Sequence, residues 1–130
     1  MNAFENKVAY CFFMFDHQDH LIGWVSLFEL LLVPSLNSCF IGYRIDEVMQ
    51  GKGYTTLAVK EVIDFAFNTL KLHRLEAGVL LNNKASQRVL EKCGFIQEGI
   101  QHKNVNINGV WEDHYMYGLL NPKDELSSLI

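Results

Sequence analysis

Residues Gln50-Gly51-Lys52-Gly53-Tyr54-Thr55-Thr56 have the make-up of an anion-holding loop. Two glycines let the backbone come close to a ligand with no Cβ in the way. A helix-like pattern opens at Tyr54, and the first turn of a helix offers unpartnered N–H groups and a positive dipole end. Together these suit a phosphate or pyrophosphate. A plain tight turn uses the same residue types, so the stretch gains meaning only from its surroundings. Two phosphate motifs are excluded by single residues. A P-loop needs Ser or Thr after its lysine, where Gly53 follows Lys52, and a dinucleotide loop needs a third glycine, where Thr56 stands.

The elements around the loop must hold it in place. Val8–Phe15 is almost wholly apolar and short, the pattern of a strand covered on both faces. A polar break, Asp16-His17-Gln18-Asp19-His20, precedes a second strand pattern over Leu21–Leu31, with Gly23 as a bulge or close-approach point. Pro34 to Ser38 reads as a loop and Cys39–Asp46 as a third strand, antiparallel to its predecessor. From Tyr54 to Leu70, Lys60, Glu61, Asp64 and Asn68 form a polar stripe opposite a wide apolar face built from Leu57, Ala58, Val62, Phe65 and Ala66. Such a helix belongs on a sheet, and the strand His73–Leu81 after it makes a parallel pair with Cys39–Asp46. A second helix runs from Lys84 to Cys93, with Asn83 as N-cap, Gly94 as C′ residue and Phe95 folding back onto Leu90. Ile100–Ile107 and Val110–Leu119 flank Asn108-Gly109, a strong hairpin signal, and Pro122–Ile130 reads as a polar tail.

The loop resembles the [Q/R]-x-x-G-x-[G/A] acetyl-CoA loop of the GNAT acetyltransferases, with Gln50, Gly53 and Thr55 at the motif positions; Thr55 departs from the usual Gly or Ala. Phe40–Ile45 resembles the strand that precedes that loop, and Leu72–Ala77 the strand that follows its helix. Asn83 to Phe95 is similar to the family's N-x-x-S-x-x-x-[LV]-x-x-x-G-F helix, and Asn108–His114 to the late hairpin of the branch that acetylates ribosomal-protein N-termini. The resemblance spans roughly residues 8 to 120 and is carried by several motifs in order. It implies an α/β fold: a mixed, mostly antiparallel sheet with helices on both faces and a central splayed parallel strand pair. The implied chemistry is acetyl transfer from acetyl-CoA to a primary amine, such as a protein N-terminal α-amine, without a metal. A catalytically weak CoA-binding or regulatory module is the rival reading.

By the same resemblance, acetyl-CoA is held by Arg44, Ile45, Gln50, Gly51, Lys52, Gly53, Tyr54, Thr55, Thr56, Asn83 and Ser86. The catalytic residues are Ser86, as proton donor to the departing sulfur, and Ile45, whose backbone amide stabilises the oxyanion. From spacing alone Asn83 and Ser86 are equally an N-cap and a first-turn serine. The side chains of Tyr43 and Ile45 read as core. The general base is open. In the ribosomal-protein branch a glutamate often lies four residues before the hairpin glycine, where this chain has Val105; Glu98, His102, Asp113 and His114 are the substitutes. An α-amine, with a pKa of about 7.7–8.0, loses its proton far more readily than a lysine at about 10.4. Family members also begin with a strand and two helices ahead of the run at Val8. The resemblance therefore leads us to expect a single domain, 1–130, without them, and a homodimer that covers the exposed edge.

Composition sets outer limits. The 130 residues suit one domain, with 49% hydrophobic and 20% charged residues as in ordinary globular chains. A net charge of −4 gives no basic footprint for nucleic acid. Cys11, Cys39 and Cys93 lack metal or disulfide spacing and sit in apolar segments, as buried reduced thiols of a cytoplasmic protein would. No apolar run approaches the roughly 20 residues that span a bilayer, so no membrane partner is expected.

Overall fold

The computed structural model describes residues 8–33 and 36–124. Six strands form one sheet in the order β1-β2-β3-β4-β6-β5. They are β1 (Val8–Phe15), β2 (Leu21–Val33), β3 (Leu36–Ile45), β4 (Arg74–Leu80), β5 (Ile96–Ile107) and β6 (Val110–Leu120). Helix α1 (Tyr54–Asp64) follows β3, and α2 (Lys84–Lys92) follows β4. All neighbouring strands are antiparallel except β3 and β4.

The parallel pair is short. Only Ser38–Arg74, Cys39–Leu75 and Phe40–Glu76 face each other; beyond them β3 continues to Ile45 and β4 to Leu80 without pairing. Each strand keeps its outer partner over that stretch, β2 for β3 and β6 for β4. The sheet is therefore split at the C-terminal ends of its two central strands.

Strand alternation sorts the side chains. Val25, Leu27, Cys39, Ile41, Leu75, Ala77, Val79 and Tyr117 face one way and join Val59, Val62, Ala66 and Phe67 of the first helical segment and Leu90 of α2 in one buried core. Among the described residues both helices thus lie on one face, whereas helices were expected on both. Amphipathic spacing shows that a helix packs on a sheet but not on which side. The other face carries Trp24, Phe28, Phe40, Arg44, Arg74, Glu76 and His114, with Arg74 bound to both Glu76 and Glu98.

Local signals account for most boundaries. Asn108 and Gly109 both take positive φ, +52° and +85°, and close the β5–β6 hairpin. At the end of α2 the Phe95 N–H bonds to Leu90 C=O and the Gly94 N–H to Glu91 C=O, a Schellman closure that buries Phe95 beside Leu90. Gly23 is a close-approach point, since a Cβ there would lie 2.2 Å from the Arg44 carbonyl. Three boundaries differ from expectation. The β2–β3 ladder extends through Leu31–Ser38, Leu32–Asn37 and Val33–Leu36, so residues 36–38 are strand rather than loop. The helix pattern that runs to Leu70 ends its α-helical part at Asp64 and finishes as a π-turn, Phe65–Thr69. Strand β1 is an edge strand covered on one face: Tyr10 and Phe12 pack on Phe65, while Phe13 and Phe15 are 57% and 59% exposed. A continuous apolar run does not distinguish these situations. The tail expected from Pro122 lies beyond the described residues from 125 onward.

Candidate active site

A cleft of about 980 Å³ opens where β3 and β4 separate, on the helical face of the sheet. Its floor is the end of β3, its walls are the loop before α1 and the first turns of α2. Of the expected site residues, Arg44, Ile45, Gln50, Gly51, Gly53, Thr55, Thr56, Asn83 and Ser86 line it; Lys52 and Tyr54 do not.

The loop is built for backbone contact. Gly51 and Gly53 adopt φ of +78° and +83°, and a Cβ added at either would meet nothing within 4 Å. Both therefore leave open space where a side chain would stand. Gly53 caps α1, whose first backbone bond is Leu57 N–H to Gly53 C=O. The N–H groups of Tyr54, Thr55 and Thr56 have no partner within the helix and sit at its positive end. The Gln50 side-chain amide donates to the Ile45 carbonyl at 3.4 Å, tying the loop to the end of β3.

The strand end supplies aimed donors. Asp46 N–H bonds to Ile22 C=O on β2. Because successive amides of a strand point to opposite edges, the Ile45 and Tyr43 amides point away from β2 and into the split. Across the split, Asn83 caps α2 by accepting the Ser86 N–H at 3.1 Å. The Ser86 hydroxyl lies 2.8 Å from the Tyr43 hydroxyl, which also donates to the Ser86 carbonyl at 3.1 Å. Burial pushes the Tyr43 hydroxyl up to about 12, partly offset by the Ser86 contact, so it keeps its proton throughout the physiological range. Between the two hydroxyls either can donate, so the serine proton is free to turn toward the cleft.

Sequence reasoning missed three residues of this cleft. Tyr43 packs against the core as its strand position implies, and its hydroxyl in addition bridges β3 to α2. Arg88 and Lys92 also line the cleft and give it positive charge opposite the glycine loop. Their i, i+4 spacing, in register with Ala85 and Ser86, was the available signal. Among the base candidates, Glu98 is held below the usual carboxylate range by its hydrogen bonds to Arg74. Asp113 is lowered chiefly by the Lys103 N–H and faces His102, whose ring is 78% exposed. His114 is half-buried. All three cysteines are free thiols, but Cys11 is exposed, in contrast to the expected burial of each; it lies on the edge strand. No group of His, Cys, Asp and Glu suited to a metal occurs among the described residues. Nor is any described helix long and apolar enough to cross a membrane.

The site is thus a sheet split between parallel strands, with a glycine-headed helix at one side and a capped helix at the other. The sequence model of the family described as "Acetyltransferase (GNAT) domain" matches residues 1–96, and the chain belongs to that family. Probable N-acetyltransferase YjcK of Bacillus subtilis (strain 168) is 57% identical over 107 residues, covering 82% of this chain and 59% of that protein. Spermidine N(1)-acetyltransferase of Vibrio cholerae is 32% identical over 98 residues, 75% of this chain and 56% of that one. Among solved structures, ribosomal-protein-S5-alanine acetyltransferase from Vibrio fischeri superposes with a TM-score of 0.85 at 34% identity, over 91% of this chain and 64% of that chain. Mycobacterium smegmatis RimJ in complex with CoA-disulfide does so with a TM-score of 0.78 at 28% identity, over 83% and 51%. This chain thus spans little more than half the length of the curated relatives it matches.

Proposed function

We propose that the protein transfers the acetyl group of acetyl-CoA to a primary amine, in one domain and in the cytoplasm. The observation that carries this reading is the cleft itself. It joins open-cradle glycines at a helix N-terminus to strand amides aimed into the split and a serine hydroxyl across it.

Acetyl-CoA, the first substrate, supplies an acyl group activated as a thioester, with a leaving thiol of pKa about 8.5 by the free-cysteine standard. The amides of Gly51 to Thr56 hold its pyrophosphate, and Arg88 and Lys92 supply the opposite charge. Arg44, Gln50 and Asn83 frame the arm that reaches into the split. The Ile45 amide donates to the oxygen that gains negative charge as the amine attacks. Ser86 faces the departing sulfur, its hydroxyl held by Tyr43. Lys52 and Tyr54 contribute backbone only.

For the acceptor we favour a protein N-terminal α-amine, by likeness to the S5-alanine enzyme; spermidine, named for the Vibrio cholerae relative, is the competing amine. A homodimer pairing two copies of β1 fits the uncharged edge that strand presents. The test is CoA release from acetyl-CoA with a panel holding spermidine and a peptide with free N-terminal alanine. Release with either supports the reading, and the faster acceptor settles the choice. Acetyl-CoA binding with no release from any amine would favour the weak CoA-binding module, for which Val105 in place of an acidic residue argues.

A further inference from the structure

We propose that Gln87 is a positioning residue of the site: its side-chain amide clamps the end of β4 to the first turn of α2 and so fixes the direction in which Ser86 faces the split. The proposal rests on the acetyltransferase reading above and deepens it.

The first turn of α2 has little else to hold it. The apolar anchors of the helix, Val89, Leu90 and Cys93, all lie toward its C-terminal end. Lys84, Ala85 and Arg88 are exposed and Ser86 is half-buried, so Gln87 is the buried residue of this stretch. A buried amide costs free energy unless it is hydrogen-bonded. Gln87 is bonded twice: its Nε2 donates to the Leu80 carbonyl at 3.2 Å and to the Leu81 carbonyl at 3.0 Å. A methionine would fill a similar volume with apolar atoms, so the two bonds are what glutamine adds here.

Those two carbonyls stand where the sheet comes apart. Leu80 is the last residue of β4, and β4 has no pairing with β3 beyond Glu76. The Asn83 N–H also donates to the Leu80 carbonyl, at 3.0 Å, closing the turn into α2. Gln87 ties the helix back to that same turn from one residue beyond Ser86. Successive helical side chains are rotated by about 100°. Gln87 therefore faces the end of β4 while Ser86 faces β3, where its hydroxyl meets that of Tyr43 at 2.8 Å. The Asn83 cap sets where the helix begins; the ties on its two flanks set how the first turn is rolled. Without Gln87 the turn can roll toward β3, and Ser86 loses its aim on the departing sulfur. Gln87 does not line the cleft, so it acts through its neighbour.

Loss of the clamp should cost chemistry more than folding. Leu80 and Leu81 are half-buried, so water can reach their carbonyls once the amide is gone. The apolar anchors of α2 stay in place, and the glycine loop at the other side of the cleft is untouched. A displacement of about 1 Å at a reacting group costs up to about 10²-fold in rate. Because Gln87 acts through Ser86, its removal cannot cost more than removal of the serine hydroxyl.

The experiment compares wild type, Gln87→Met, Ser86→Ala and the double variant, using acetyl-CoA with spermidine or an N-terminal alanine peptide. Gln87→Met should lower kcat about tenfold, keep the acetyl-CoA Kd within about threefold and lower Tm by about 4–8 °C. In the Ser86→Ala background the same change should lower kcat by less than about twofold, since no hydroxyl is left to aim. A glutamine that only stabilises the fold would lower kcat equally in both backgrounds, and that result overturns the proposal. So does a Gln87→Met variant whose kcat stays within about twofold of an active wild type, whatever its Tm. Where Ser86→Ala keeps the wild-type kcat there is nothing to position, and the proposal falls with the Ser86 assignment alone. Should methionine prevent folding, Gln87→Ala, which admits water to both carbonyls, carries the same comparison. A wild type that releases no CoA with either amine overturns the assignment together with the acetyltransferase reading.

Discussion

Replacing Gly53 with valine separates ligand holding from folding. Gly53 sits at φ +83° and ψ −1° as the cap of α1. Forcing an L-residue into that left-handed region costs about 1–2 kcal/mol. Loss of glycine's freedom in the unfolded chain returns about 0.4–1 kcal/mol. The new Cβ meets no protein atom within 4 Å, so no packing penalty is added. The net destabilisation is of the order of 1 kcal/mol, a drop in Tm of about 4 °C. The effect on the ligand is larger, because the branched side chain occupies the space where a phosphate would approach the first-turn amides. Losing two charge-assisted hydrogen bonds at about 1.5–3 kcal/mol each amounts to about 3–6 kcal/mol, or about 10²–10⁴-fold in Kd. Calorimetric titration of acetyl-CoA beside a thermal melt reads both quantities. A folded variant that binds acetyl-CoA with the wild-type Kd would refute the reasoning, since no contact with the glycine loop could then matter.

Three further outcomes are expected. Ser86→Ala lowers kcat more than it weakens acetyl-CoA binding, and Tyr43→Phe lowers kcat in the wild-type background but adds little to Ser86→Ala, because the two hydroxyls act as one unit; additive losses in the double variant would show that they do not. Arg88→Glu raises the Kd for acetyl-CoA about tenfold or more at low salt, with the difference narrowing as screening increases; a salt-independent difference would point to packing instead. Light scattering at micromolar concentration gives twice the monomer mass, and a charged substitution on the edge, Phe13→Lys, returns it to one; a monomeric wild type would remove the case for pairing through β1.

Much of this architecture was readable in residue order, for reasons that particular positions make clear. Asn108-Gly109, Asn83 as cap and Gly94-Phe95 as helix end are signals complete within a few residues, and the structure places each as its local chemistry requires. The strand-helix-strand unit around α1 was equally legible, because a wide apolar stripe has to lie on a sheet. What escaped was whatever depends on distant partners. Tyr43 reaches Ser86 from 43 residues away, and an aromatic in a strand pattern looks like core until its partner is known. Arg88 and Lys92 gain a role only once α2 is docked beside the loop. The side of the sheet that receives the helices, and the exposure of Phe13 and Phe15 on an edge strand, are properties of topology. No local pattern of polar and apolar residues encodes them.

The brevity of the β3–β4 pairing has a mechanical consequence. Residues 8–45 and 74–120 each form a unit of mostly sequence-local contacts, and the strand ladder joins them through three rungs. That seam is the softest line in the sheet, since a ladder of three rungs has little cooperativity to resist opening. A molecule lying in the cleft touches Tyr43 and Ile45 on one unit and Ser86 and Arg88 on the other. It works as a staple across the seam. Any free energy it gains by binding the closed arrangement is added to the resistance of the seam, by about 2.7 kcal/mol at a free concentration of 100 Kd. The gap that admits the ligand is thus also the joint that the ligand stiffens, and the occupied protein is a mechanically different object from the empty one.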